Sequence, residues 1–174
     1  MRYVYLLLLI LPSLSYGQRK VLSDTRVTSA YMVESVNALR ARGCNCGGKD
    51  MPPVKKIKWD ESLVKSSRIH ANQMHKFDFF SHIGVDGSDV ADKMDRVGYR
   101  WQFAGENLGE GQWTFDQVME DWLESPSHCR LLMDERMEDM GISRMGKFWV
   151  QHFGKTLPAK ARRKKVRYSN KRRG

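Results

Sequence analysis

Residues 104–133 read AGENLGEGQWTFDQVMEDWLESPSHCRLLM and hold turn glycines, a carboxylate-rich helix and a His-Cys pair at the start of a second helix. Thr114-Phe-Asp-Gln117 has the T-x-x-Q form of a capping box, in which the two polar side chains satisfy free amides at a helix start. The helix it opens carries Phe115, Val118, Met119 and Trp122 on its apolar side and ends near Glu124. Ser125-Pro126 then restarts a helix, with Ser as cap and Pro in the first turn, where a missing N–H is tolerated. His128 and Cys129 fall in that first turn. The polar residues of this stretch that are candidates to face a cavity are Glu106, Glu120 and His128, and His82, upstream in Phe79-Phe-Ser-His-Ile-Gly84, is the candidate to join them.

Upstream, Tyr99–Leu108 mixes aromatic and apolar residues and suits a strand or an extended passage under the core. Gly84-Val-Asp-Gly-Ser88 is turn chemistry leading into a short helix over 89–97, ended by Gly98. Asp60 is placed to cap a helix running to about Phe77, with Leu63, Ser67, His70, Met74 and Phe77 along one face. On that mostly apolar stripe His70 is expected to be a hydrogen-bonded packing histidine. Residues 24–42 are helical in pattern, capped by Ser23 or Asp24 and stopped by Gly43, whereas 44–53, with two glycines and two prolines, reads as irregular loop. Downstream, Met140–Met145 and Lys147–Phe153 read as two strands joined at Gly146, the second alternating Phe148, Val150 and His152 against Trp149, Gln151 and Phe153. Helices and about three strands make a mixed α and β domain.

The two ends differ from this middle. Residues 1–17 begin Met1-Arg2, continue through an apolar run from Tyr3 to Leu11 and close on Ser15-Tyr-Gly17, the pattern of a signal peptide cleaved before Gln18. The run is shorter than the roughly 20 residues a membrane span needs, and the absence of a Cys after the cleavage point gives no sign of a lipoprotein anchor. The formal net charge of +10 belongs to residues 155–174, which carry ten basic residues and no acidic one. With little apolar surface to bury, this tail is expected to be disordered when free, and to contact anionic polymers or membrane surfaces with strong salt dependence. Tyr168 is its one aromatic residue, so base stacking, and with it specific nucleic-acid recognition, finds no support. The stretch 18–154 is near neutral and suits one domain with one core, expected to be a secreted or periplasmic monomer.

Three cysteines, at 44, 46 and 129, allow one bridge and leave one thiol. Cys44-Asn-Cys46 lacks zinc-knuckle spacing, and a bridge between residues two apart would be strained, so one of the two is expected to reach Cys129.

Asn37-Ala-Leu-Arg40, Leu63–Met74, Phe80-Ser-His82, Gly105-Glu-Asn-Leu108, Glu120-Asp-Trp122, Ser125-Pro-Ser-His128 and Phe148-Trp-Val-Gln-His-Phe153 follow one another in this order. Together they cover nearly all of 24–154, and the chain resembles the CAP superfamily of SCP-like extracellular proteins, in particular its bacterial single-domain members. The resemblance implies an α+β fold, the three-layer α-β-α sandwich, with a cavity holding two His and two Glu, which correspond here to His82, Glu106, Glu120 and His128. It also implies cation binding in some members and lipid or sterol binding in others. The spacing around Gly43-Cys-Asn-Cys-Gly47, with a Cys after the second His, resembles bacterial members in which a loop Cys bridges to that position. This implies a Cys46–Cys129 disulfide and leaves Cys44 unexplained.

Two neutral imidazoles and two carboxylates suit zinc or another divalent cation, with His82 and His128 as ligands and Glu106 and Glu120 as ligands, water holders or ring-orienting partners. An open position on such an ion would activate water for metal-dependent hydrolysis of a peptide or glycan. Glu106 and Glu120 would serve as a glycosidase pair only at a separation of about 5–9 Å. Ser127 and His128 do not make a nucleophile and base, because adjacent helical residues point apart, and no GxSxG motif is present. The reading that results is a non-enzymatic or weakly enzymatic extracellular module that binds a small apolar ligand or an envelope polymer near a His/Glu cavity. The alternatives are a metal-dependent hydrolase and an envelope-attachment protein working through its basic tail.

Overall fold

Asp60, Asp89 and Thr114 each sit in extended backbone and accept the free amides of the helix that follows, so three helix starts are written in single side chains. Asp60 takes the amides of Ser62 and Leu63, opening α2 (Glu61–Phe77), the second helix of the chain. Asp89 and Asp92 form a reciprocal capping box before α3 (Val90–Arg96), and Thr114 and Gln117 do the same before α4 (Phe115–Glu124). A fifth helix, α5 (Pro126–Leu132), has Pro at its first position as expected, but Ser125 makes no capping bond there; its hydroxyl lies 3.3 Å from that of Ser127.

The computed structural model describes residues 28–158. The expected signal peptide over 1–17 and the tail from residue 159 onward lie outside the described residues. The first helix, α1 (Ser29–Arg42), is capped by Thr28, which accepts from the Tyr31 amide; the expected caps Ser23 and Asp24 lie outside the described residues. Gly43 ends it at φ +74°, a conformation that only glycine adopts without strain.

The segment after Gly43 corrects the expectation of an irregular loop. It is an antiparallel hairpin, β1 (Cys44–Cys46) against β2 (Lys49–Met51), turning through Gly47 and Gly48, both at positive φ. Two glycines that permit φ > 0 in succession are what a two-residue hairpin turn requires. The main sheet has the order β3-β5-β6-β4, built from β3 (Lys58–Trp59), β4 (Trp101–Glu110), β5 (Asp139–Met145) and β6 (Phe148–Thr156). β3 runs parallel to β5 and the remaining pairs are antiparallel. Because β6 continues to Thr156 and Lys155 pairs with Glu138 at 2.7 Å, the domain extends two residues beyond the expected boundary at 154.

β6 is buried on both faces, which divides its side chains between two helical layers. Phe148, Val150 and His152 face α2, while Trp149 and Phe153 join Val36 of α1, Trp122 of α4 and Leu132 of α5 in the larger core. The result is the expected α-β-α sandwich. Trp122 Nε1 donates to Leu108 O at 2.8 Å and ties α4 to β4, and the buried Arg40 guanidinium holds four carbonyls of the connecting segments. β4 is an edge strand, and the candidate site lies along it.

Candidate functional site

Strand register creates the first contact of the site. Glu106 on β4 lies opposite His152 on β6, so both side chains project toward α2. His152 Nε2 is 2.8 Å from Glu106 Oε2, and Ser66 of α2 lies 2.7 Å from the other ring nitrogen. His82, on the segment after α2, places Nδ1 2.7 Å from Glu106 Oε1. Lys93 of α3 approaches Oε2 to 3.9 Å and donates to the His82 carbonyl, and His70 Nε2 stands 3.8 Å from the same oxygen while donating to Ser81 O. His70 is thus buried and hydrogen-bonded, as expected of a packing histidine.

The charges follow from burial and contact. The Glu106 side chain is 3% exposed, so desolvation would raise its pKa, but the bonds from His152 and His82 outweigh that and hold it at about 2. An ionised carboxylate only accepts, which puts the protons on His82 Nδ1 and His152 Nε2. Burial lowers His152, His70 and Lys93. The hydrogen bond to Glu106 raises His82, whose side chain is 60% exposed. In neutral His82 the lone pair therefore sits on Nε2.

His128 comes from the other helical layer, around the free edge of β4. Burial lowers it, and the charge of nearby His82 lowers it further. It lines a cleft of about 280 Å3 with Phe80, Leu108, Asp121 and Trp122. The remaining candidate is not brought in. Glu120 is exposed on the outer side of α4, makes no hydrogen bond or ion pair among the described residues, and belongs to the layer across the sheet from Glu106. Glu106 and the exposed Glu120 thus stand in different layers, and Glu106 gathers His82, His152, His70 and Lys93 while His128 lines the neighbouring cleft. His152 and Lys93 are the members that sequence reading passed over. The alternation of β6 already put His152 inward, and Lys93 shares its inward helical face with Val90, Met94 and Val97, but which strand lies opposite is not a local property.

The expected bridge, Cys46–Cys129, is present with Cα atoms 5.5 Å apart, and Cys44 is a half-buried thiol beside it. Among the described residues, His, Cys, Asp and Glu ligand atoms converge in threes only at these cysteines, all within 4.8 Å of one another. At the His/Glu cleft, the atoms able to take a cation are His82 Nε2 and the His128 ring, because both Glu106 oxygens already accept from imidazoles.

The sequence profile of the cysteine-rich secretory protein family, CAP, matches residues 33–153. The chain belongs to this family. Its CAP domain is 28% identical over 102 residues to YkwD of Bacillus subtilis, covering 58% of this chain and 40% of that protein. It is 25% identical over 100 residues to the membrane protein YlbC of the same organism, covering 58% and 29%. The chain thus spans well under half the length of these relatives. Among solved structures, an extracellular protein containing a SCP domain from Bacillus anthracis superposes with a TM-score of 0.65 at 22% identity, covering 73% of this chain and 40% of that one. An outer surface protein of Borrelia burgdorferi does so with a TM-score of 0.65 at 19% identity, covering 78% and 97%. These likenesses support the CAP fold and an extracellular-type family. Among the described residues, no helix is long and apolar enough to cross a membrane.

Proposed function

We propose that this chain is an exported CAP module that binds a divalent cation at the free edge of β4, with His82 and His128 as ligands. The observation that carries this reading is the 2.7 Å bond from His82 Nδ1 to the buried Glu106 carboxylate, which orients the ring and leaves Nε2 to a ligand. A carboxylate behind a metal-binding imidazole fixes its tautomer and raises its basicity. Lys93, buried 3.9 Å from Glu106, offsets the carboxylate charge, so Glu106 orients and does not ligate. Two imidazoles leave the other positions of the ion to water or to a ligand of the module. Glu110 and Asp121 line the same cleft but are held by Lys147 and Gln112, which favours binding over hydrolysis.

Zinc titration by calorimetry tests this, with Cys44→Ser as the background to remove the free thiol. Binding that survives Glu120→Ala and is lost in His82→Ala/His128→Ala is expected; equal heats in the double variant and its parent would overturn the assignment.

A second reading rests on a different surface. Lys55, Lys56, Lys58, Arg136 and Lys155 outnumber Glu135 and Glu138 around a broad groove of about 930 Å3 at the end of β6, and Lys155 is paired with Glu138. Its lining holds no aromatic residue on which bases would stack, so the partner it suits is an anionic envelope polymer. Loss of salt-sensitive polyphosphate binding on Lys55→Glu/Lys56→Glu is expected, and unchanged binding would exclude the groove.

A further inference from the structure

Cys44 and Cys46 are two apart on β1, and strand alternation turns both thiols to the same side, toward α5. The hairpin tip is pressed against that helix. A Cβ on Gly47 would meet the Pro126 ring at 2.4 Å. Cys44 Sγ accordingly lies 3.6 Å from Cys129 Sγ and 3.7 Å from Cys46 Sγ, so a third sulfur stands alongside a formed disulfide. Cys46 and Cys129 are fully buried, while Cys44 is half-buried.

We propose that Cys44, Cys46 and Cys129 form an internal thiol–disulfide exchange site, in which Cys44 displaces Cys46 from Cys129. Cys44 gives up its proton to solvent and its thiolate attacks Cys129 Sγ. The Cys44–Cys129 bond forms, the Cys46–Cys129 bond breaks, and Cys46 leaves as a thiolate that takes up a proton. One disulfide and one thiol stand on each side, so no oxidant or reductant is consumed. The two sulfurs need to close from 3.6 Å to about 2 Å, and the nearly equal distances to both ends of the bridge mean that Cys44 must rotate about χ1 toward an in-line approach. Burial raises the Cys44 thiol and the nearby Arg42 opposes it, so exchange accelerates toward alkaline pH. Two consequences follow. The staple between hairpin and α5 survives loss of either Cys44 or Cys46, and exchange moves the free thiol from a half-buried position to a fully buried one.

The test is thiol mapping on the full chain. The protein is held at about pH 8, near the ordinary thiol range, then denatured in acid and alkylated with N-ethylmaleimide. The peptide containing both cysteines is fragmented to locate the label. Label on Cys44 and on Cys46 is expected; label on Cys44 alone overturns the proposal. Independently, Cys46→Ser should oxidise to a Cys44–Cys129 bridge with no titratable thiol, and two free thiols in that variant overturn it as well.

Discussion

Glu106 on β4 and His152 on β6 are cross-strand partners, and the 2.8 Å contact between their side chains follows from that register. A slip of one residue in either strand would send one of the two side chains to the opposite layer. The sheet therefore fixes the carboxylate first, and His82 reaches it from a connecting segment. The exposed imidazole is oriented by a group that solvent scarcely touches.

Glu106→Gln should expose how much rests on this charge. His82 and His152 use different oxygens of the carboxylate, and the amide puts an NH2 donor in place of one of them and leaves the buried Lys93 ammonium without its counter-charge. Loss of one partner of a buried ionic cluster costs about 3 kcal/mol, readable by urea denaturation. In the same variant the His82 pKa should fall toward its ordinary value of 6.5, followed by NMR titration of the ring protons. Unchanged stability together with an unchanged His82 would contradict the assigned role.

The histidines set the response to acid. His70, His128 and His152 have folded pKa values below the ordinary 6.5, so the unfolded chain binds more protons as pH falls through that value, and stability falls with it. His82 runs the other way. Its raised value contributes stability that is complete below 6.5 and fades as pH rises through the folded pKa, but its exposure lets solvent screen the effect. Glu106, lowered from 4.5 to about 2, contributes stability that is intact above 4.5 and lost as pH drops toward 2. The expected outcome is a Tm lower at about pH 5 than at about pH 7, and falling further below about pH 4. A Tm that rises on acidification would show that the buried imidazoles are not held neutral.

Gly141 marks where α2 comes closest to the sheet. A Cβ there would lie 2.3 Å from the Val64 amide nitrogen and 2.5 Å from the Leu63 carbonyl carbon, both backbone atoms that cannot rotate away. Gly141→Ala should destabilise by about 3 kcal/mol, because the helix that carries Ser66 and His70 must lift off β5. Equilibrium denaturation checks the magnitude, and a change below about 1 kcal/mol would mean that α2 has slack the structure does not show.

The bridge closes a sequence separation of 83 residues and holds the hairpin onto α5. Cys129→Ala should cost about 2–4 kcal/mol, with reductant having little further effect on the melting curve. Cys46→Ala should cost less, because Cys44 is close enough to take over Cys129. Equal losses in the two variants would indicate that Cys44 gives no substitute staple.

Local chemistry makes much of the fold legible. The caps at Asp60 and Thr114, the stop at Gly43 and the two-faced alternation of β6 each depend on residues within a few positions of one another, and each is found as the spacing predicts. The hairpin of residues 44–51 is not legible in the same way, because two glycines signal a turn without naming the partner strand, and three-residue strands are too short to show alternation.

The site divides along the same line. Motif order carried the resemblance to the family, and that resemblance implied the α-β-α class, the Cys46–Cys129 bridge and the candidacy of His82, Glu106, Glu120 and His128. Only the tertiary structure decided that Glu106 answers to His152 and Lys93, and that Glu120 stays outside on α4. The physical reason is that capping, turns and periodicity act over a few residues. Which face of an edge strand meets which helix is set instead by strand order and register, between segments about 46 residues apart in the chain.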